Sequence, residues 1–194
     1  MLLETNFMRA LKNYPIIASL RSEELLPEAI SSKSEVILIS SGDIFNISDI
    51  SQELRKHNKQ VLVHVDLIKG LGKDQTAIQY LKKKAKVNGI VTPNGHLISA
   101  AHKERLITVH RLFAHDSPSL ITGINVLHQS KPHFIEILPG LVADPVIPYL
   151  RKHFQQPVIA AGLIKSIKDV NVVLKAGSIA VDTSSENLWN IEKS

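Results

Sequence analysis

Short runs of aliphatic and β-branched residues recur along this chain. Each is followed by a polar loop and then by a stretch with apolar positions at helical spacing. The runs are YPIIASL (14–20), EVILISS (35–41), QVLVHVD (60–66), NGIVT (88–92), LITVHRLF (106–113), FIEIL (134–138), PVIAAG (157–162) and SIAVDT (178–183). Stretches such as DQTAIQYLKKKAK and IPYLRKHF carry the helical period between them. Helix starts are predicted at Asp74, at Ser117 followed by Pro118, and at Asp144 followed by Pro145, because proline suits the first helical turn. Pro27, inside SEELLPEAI, makes the helix after the first run the least regular, since proline breaks a helix interior.

Alternation of strand and helix implies a parallel sheet. Eight units imply an α/β fold of the compact TIM-type, a closed (β/α)8 barrel, formed by a single domain over residues 1–194. An open doubly wound sheet is the alternative, but neither GxGxxG nor a P-loop sequence is present to support it. With 44% hydrophobic and 21% charged residues the composition is that of an ordinary soluble domain. The chain has no cysteine, which removes disulfides, thiolate metal sites and thiol nucleophiles from consideration. No charged segment with a following apolar core opens the chain, and no apolar run is long enough to span a bilayer, so a cytoplasmic protein without a membrane partner is expected. The short loops leave little material for a lid.

Barrels of this type bind ligands at the C-terminal ends of their strands, with phosphate commonly on the loops after strands seven and eight. Here those loops read AGLIKS and DTSS. Gly162 lets the backbone approach closely, and Ser166-x-x-Asp169 and Thr183-x-x-Glu186 match capping boxes. A capped helix start is also an anion site, so both loops are candidates for phosphate, with Thr183, Ser184 and Lys165 among the contacts. Asp182 opposes that reading unless its carboxylate points away. Alternation along the third run turns Leu62, His64 and Asp66 to the barrel interior and the valines outward, and Gly70 and Gly72 free the loop that follows. The same rule turns Glu136 inward, while either His110 or Arg111 faces in. Asp66, Glu136 and Arg111 then form either a structural ion-pair network, with Arg21 as another partner, or a site. In a site the carboxylates accept ligand hydroxyls while arginine and lysine neutralise phosphate. Lys69 and Lys73 also fall at the mouth. The nine histidines include no HxH or HxxxH pair, so a metal site has no sequence signature.

The net charge is +5. More than half of the 23 Lys and Arg lie at helix ends or helix-to-strand turns, among them Lys59, Lys82, Lys83, Lys84, Lys131, Arg151 and Lys152. In a barrel these positions gather at the N-terminal face, away from the ligand mouth. Cations there satisfy the helix dipole, and a basic ring with few acids also suits a nucleic-acid backbone. Lys82, Lys83, Lys84, Arg151 and Lys152 are the RNA-contact candidates. No aromatic platform is visible beside them, since Tyr80 and Tyr149 fall in helices, so RNA contact would lean on backbone or shape.

The stretches HVDLIKGLGKD, HRLFAHDS, IEILPG, AAGLIKSIKDV and VDTSSENLW, in this order, make the chain similar to the glycerol-3-phosphate-responsive antiterminators, the glycerol uptake operon regulators of Gram-positive and related bacteria. The resemblance runs from PIIASL to the final LW. It implies a barrel without enzymatic activity or cofactor that senses the effector sn-glycerol 3-phosphate and acts on the leader mRNA of glycerol genes. It implies ligand contacts at Asp66, Arg111, Glu136, the Gly162 loop and Thr183-Ser184. The chain departs from the family's usual residues at Lys69, His110, Ala161 and Asp182, the last of which touches the phosphate loop. The residues alone also admit a small barrel enzyme, of isomerase or phosphodiesterase type, acting on a phosphorylated three-carbon compound through His64, Asp66 and Glu136. A plain phosphate-binding barrel is a third reading. A homo-oligomer is compatible with all three.

Overall fold

All eight apolar runs form strands, and they pair in parallel, in chain order, until β8 closes on β1. The computed structural model describes residues 2–191; Met1 and residues 192–194 of the domain expected over 1–194 lie outside the described residues. The strands are β1 Ile16–Leu20, β2 Val36–Ile39, β3 Gln60–His64, β4 Gly89–Thr92, β5 Ile107–Phe113, β6 Phe134–Leu138, β7 Val158–Ala161 and β8 Ala180–Thr183. The helices are α1 Leu2–Asn13, α2 Leu26–Ser31, α3 Ile47–Lys56, α4 Gln75–Lys83, α5 Gly95–Lys103, α6 Ser117–Ser130, α7 Ala143–Leu150 and α8 Ile167–Lys175.

The strands are apolar on both faces because both faces are buried. Ile37, Ile39, Val61, Val63, Ile135 and Ile137 belong to the layer that packs against the helices. Val36, Leu38, Leu62, Val109, Phe134 and Ile159 fill the barrel interior. One strand position tolerates no side chain at all. A Cβ on Gly89 would lie 2.5 Å from the Ile107 carbonyl oxygen and 2.8 Å from the Leu62 side chain, so adjacent strands close only over glycine.

Helix α1 precedes the first apolar run and is an element that the run pattern does not announce. Its Phe7, Ala10 and Leu11, at helical spacing, join the interior cluster, and Phe7 meets Phe134 edge-on at a centroid distance of 5.0 Å. The helix therefore plugs the N-terminal opening of the barrel. Ligands are left the C-terminal mouth.

Several helix starts differ from the sequence expectation. The cap of α6 is Asp116, one residue before Ser117; its carboxylate accepts from the Ser119 N–H at 2.8 Å, and an aspartate offers the stronger acceptor. Helix α7 begins at Ala143 with Val142 in the cap position, so Asp144 lies within its first turn. Pro27 sits in the first turn of α2, after a single 3-10 turn, where a missing N–H costs nothing. Asp74 caps α4 as expected, accepting from Ala77 N–H at 2.8 Å.

Truncating Phe7 to alanine should destabilise the fold by about 3–5 kcal/mol, as for other buried aromatic side chains. Chemical denaturation of the two proteins under one set of conditions measures the difference.

Candidate ligand-binding site

Above the apolar plug the barrel interior turns polar. The inward positions continue the alternation of each strand, which brings Ser19, His64, Arg111, Glu136 and Asp182 together beneath the mouth, all buried. Arg111 and Glu136 are register partners on β5 and β6, so their side chains leave the same face side by side. The Arg111 Nε donates to Glu136 Oε2 in a tight ion pair, and its Nη2 donates to Asp182 Oδ2 at 3.3 Å. Arg111 is thus the inward residue of the ambiguous pair, and His110 points the other way. Arg21, the other candidate partner, is exposed at the end of β1 and forms no ion pair with the buried carboxylates.

Two carboxylates around one guanidinium cannot both stay ionised cheaply. Burial first, then the neighbouring Glu136, push the Asp182 carboxyl up to about 8 from 3.8, against the pull of Arg111. Asp182 is therefore protonated near neutrality, and the cluster of Arg111, Glu136 and Asp182 is close to net neutral. Burial opposes the Arg111 charge, but Glu136 and Asp182 outweigh it and hold the guanidinium above its ordinary value. Burial, then the positive charge of Arg111, hold His64 down at about 4, so its imidazole is neutral. The Asp182 Oδ1 and His64 Nδ1 atoms are buried without a hydrogen-bond partner in the protein.

A cavity of about 170 Å³ opens directly over this floor. Five or so water volumes, at roughly 30 Å³ each, would fill it, which suits a small polar ligand. Arg111, Arg21 and Lys165 bring positive charge to its wall, and Ser19, Thr183, Ser184 and Ser185 bring hydroxyls. The Gly162 loop forms the side. Gly162 and Leu163 both adopt left-handed backbone, with φ of +78° and +62°, and a Cβ on Gly162 would press on Leu138 at 3.2 Å. Its carbonyl accepts from Gly140 N–H at 3.1 Å, so the loop is tied to the turn after β6.

The two capping boxes fare differently. Ser166 and Asp169 form theirs: Asp169 accepts from the N–H groups of Ser166 and Lys165, and Ser166 Oγ accepts from Asp169 N–H. The start of α8 thus already holds a carboxylate, which draws on the N–H groups an anion would use. Thr183 caps nothing. Its hydroxyl donates to the Ile164 carbonyl at 3.0 Å and accepts from Ser185 N–H, and the following 3-10 turn, Glu186–Leu188, has no side-chain cap. Thr183 instead stitches the loop after β8 to the loop after β7. Buried Trp189 seats the same loop by donating Nε1–H to the Thr183 carbonyl at 2.9 Å.

Asp66 follows β3 in a 3-10 turn and does not line this cavity. It accepts from Thr92 Oγ1 at 2.7 Å, and the Lys73 ammonium lies 3.6 Å from its other oxygen. Glu136 is buried below, behind Arg111. Of the sequence candidates, Arg111, Gly162, Lys165, Thr183 and Ser184 are therefore brought together, with Glu136 beneath them and Asp66 outside the lining, 3.8 Å from His64 Nδ1. Ser19 was missed, although a serine on the otherwise apolar inward face of IIASL is a legible signal. At the opposite end of the barrel, Lys82, Lys83 and Lys84 end α4, and Arg151 and Lys152 follow α7. Lys59 is removed from that basic ring, because its ammonium donates to the carbonyls of Ser32 and Ser34 at 2.7 and 2.8 Å. Among the described residues no helix is long and apolar enough to cross a membrane, and no group of three His, Asp or Glu could hold a metal ion.

A closed parallel barrel defines a (β/α)8 protein, and its cationic, hydroxyl-lined pocket over the last two strands is its candidate ligand site. The model of the family described as glycerol-3-phosphate responsive antiterminator matches residues 16–189, and the chain belongs to that family. It is 32% identical over 186 residues to the uncharacterized protein YgcP of Escherichia coli (strain K12), covering 96% of this chain and 97% of that one. Two crystal structures are also similar. The glycerol uptake operon antiterminator regulatory protein of Listeria monocytogenes is 29% identical, with a TM-score of 0.87 over 91% of this chain and 95% of that one. The glycerol uptake operon antiterminator-related protein of Thermotoga maritima is 34% identical, with a TM-score of 0.80 over 90% of this chain and 96% of that one.

Two outcomes follow from the buried cluster. Arg111→Met strands the Glu136 carboxylate in the interior and should cost about 3–5 kcal/mol of stability, measured by denaturation. The second concerns pH. Folded Asp182 keeps its proton to about pH 8, whereas an unfolded aspartate loses it near 3.8. Folding takes up a proton between those values, so stability falls as pH rises through that window. Asp182→Asn should flatten this slope in stability measured against pH; an unchanged slope would show that Asp182 is ionised in the fold.

Proposed function

We propose that this protein is a receptor for sn-glycerol 3-phosphate that acts on leader mRNA of glycerol-utilisation genes and lets transcription pass a terminator. The observation that carries the ligand half is the pairing of a cationic, hydroxyl-lined cavity with a polar floor that is close to net neutral. The phosphate lies among Arg21, Arg111, Lys165, Ser184 and the Gly162 loop, with Thr183 holding that loop in place. The glycerol hydroxyls turn toward Ser19 and the Asp182 carboxyl on the cavity floor, with His64 and Asp66 beyond it. A dianionic phosphate needs more than one cation, and a protonated Asp182 spares it a repulsive neighbour. The antitermination half rests on family membership together with the basic N-terminal face. Lys82, Lys83, Lys84, Arg151 and Lys152 supply phosphate-backbone contacts there.

Acid–base catalysis is poorly served by two of the three residues that an enzyme of this barrel would use. His64, held down at about 4, is a weak base, and Glu136 is engaged by Arg111 behind the cavity. The geometry therefore favours binding over turnover. Ligand and RNA meet opposite ends of the barrel, so the ligand acts by shifting a conformational or oligomeric equilibrium whose states bind it differently.

In a purified transcription system with the leader of a glycerol gene from the source organism, adding this protein should raise terminator read-through. sn-Glycerol 3-phosphate should raise it further, and glycerol should not. Read-through that ignores both the protein and the ligand would contradict the proposal.

A further inference from the structure

Four of the nine histidines gather far from the mouth, where α5, α6 and α7 reach the N-terminal end of the barrel. His102 lies in the last turn of α5 and His128 in the last turn of α6; His133 immediately precedes β6 and His153 follows α7. Their rings are in contact. His102 and His133 have centroids 4.8 Å apart, His128 and His153 6.0 Å, and Tyr149 and His153 5.5 Å. Buried Phe154 supports His128 at 4.6 Å. The His102 ring nitrogen lies 3.0 Å from the Lys131 carbonyl oxygen, joining the two halves into one rim. A cluster of rings meeting edge to face and tilted thus stands where the sequence suggested no aromatic surface. A count of Phe, Trp and Tyr overlooks histidine, and distant segments bring these rings together.

The rim is also basic. Lys103, Arg105, Lys131, Arg151 and Lys152 accompany the rings, and the Lys152 ammonium lies 5.8 Å from the centre of the Tyr149 ring. Arg105 and Lys131 occupy left-handed turns, with φ of +54° and +46°, where glycine is the cheaper residue. The nearby acids are Glu104, whose carboxylate is held by the Gln79 amide, and Glu4 of α1, close to His133. Helix dipoles account for cations at these helix ends. They do not account for exposed His128 and His153 rings set beside half-buried Tyr149.

We propose that this rim of α5–α7 binds single-stranded RNA, with unpaired bases stacking on His128, Tyr149 and His153 while Lys131 and Lys152 take the flanking phosphates. The proposal rests on the RNA-directed reading above and deepens it by naming the surface and the strand state. Exposed rings among cations match the stacking platform and charged track that unpaired strands use, whereas a duplex hides its base faces.

The test uses the full chain and a randomised pool of single-stranded RNA carrying 4-thiouridine. Photo-crosslinks, mapped by mass spectrometry, should fall within residues 128–131 and 149–154. In fluorescence anisotropy the H128A/H153A variant should bind the pool at least about tenfold more weakly, as expected for lost base stacks. The H128F/H153F variant should recover most of that loss. Both positions are exposed, and an unchanged Tm confirms that the fold survives. Crosslinks confined to the end of α4, or equal binding by H128A/H153A, would overturn this surface and leave RNA binding standing. Failure of phenylalanine to restore binding would overturn the stacking role. No RNA binding by the unaltered protein would remove both this proposal and the reading beneath it.

Discussion

One guanidinium organises the upper half of this barrel. Arg111 is held by Glu136 on the neighbouring strand and reaches Asp182 across the interior, so it couples β5, β6 and β8 where the apolar packing ends. A buried ion pair is expensive, and replacing it with hydrocarbon is often neutral or stabilising in other proteins. Its presence here is therefore better explained by what sits above it. Arg111 lines the cavity above, Glu136 keeps that arginine oriented, and the proton on Asp182 keeps the cluster from becoming acidic.

That proton also resolves the conflict raised by an aspartate beside a loop proposed to hold phosphate. An ionised Asp182 beside a phosphate would repel it. Burial and the proximity of Glu136 raise its pKa to about 8, which removes the repulsion at neutral pH and leaves a polar atom free to meet a hydroxyl. The α8 start makes a contrasting choice. There Asp169 stays anionic, hydrogen-bonded to the N–H groups of Lys165 and Ser166, and its pKa is lowered by those same contacts. The positive charge around the cavity comes from arginines and a lysine, with little help from a helix end.

The barrel was legible because its signal is local. Eight apolar runs separated by helical periods define eight βα units, and alternation correctly turned Leu62, His64 and Glu136 inward and the β3 valines outward. Helix α1 escaped because three interior contacts, Phe7, Ala10 and Leu11, acquire meaning only once a barrel end exists to be plugged. His110 and Arg111 are adjacent polar residues, and only the register with β6 separates them. Thr183 matched a capping motif, but its hydroxyl found a carbonyl in the preceding loop, a partner no local pattern could announce. The role of Asp182 depends on three strands at once, and so do the contacts of the histidine rim on residues far apart in the chain.

Calorimetric titration with sn-glycerol 3-phosphate, with glycerol and inorganic phosphate as controls, examines the cavity most directly. Heats that saturate for glycerol 3-phosphate, more weakly for phosphate and not for glycerol, are what the charged wall and neutral floor require. No heat with glycerol 3-phosphate would mean that the cavity serves another anion, and a sustained heat flow after each injection would mean turnover rather than sensing.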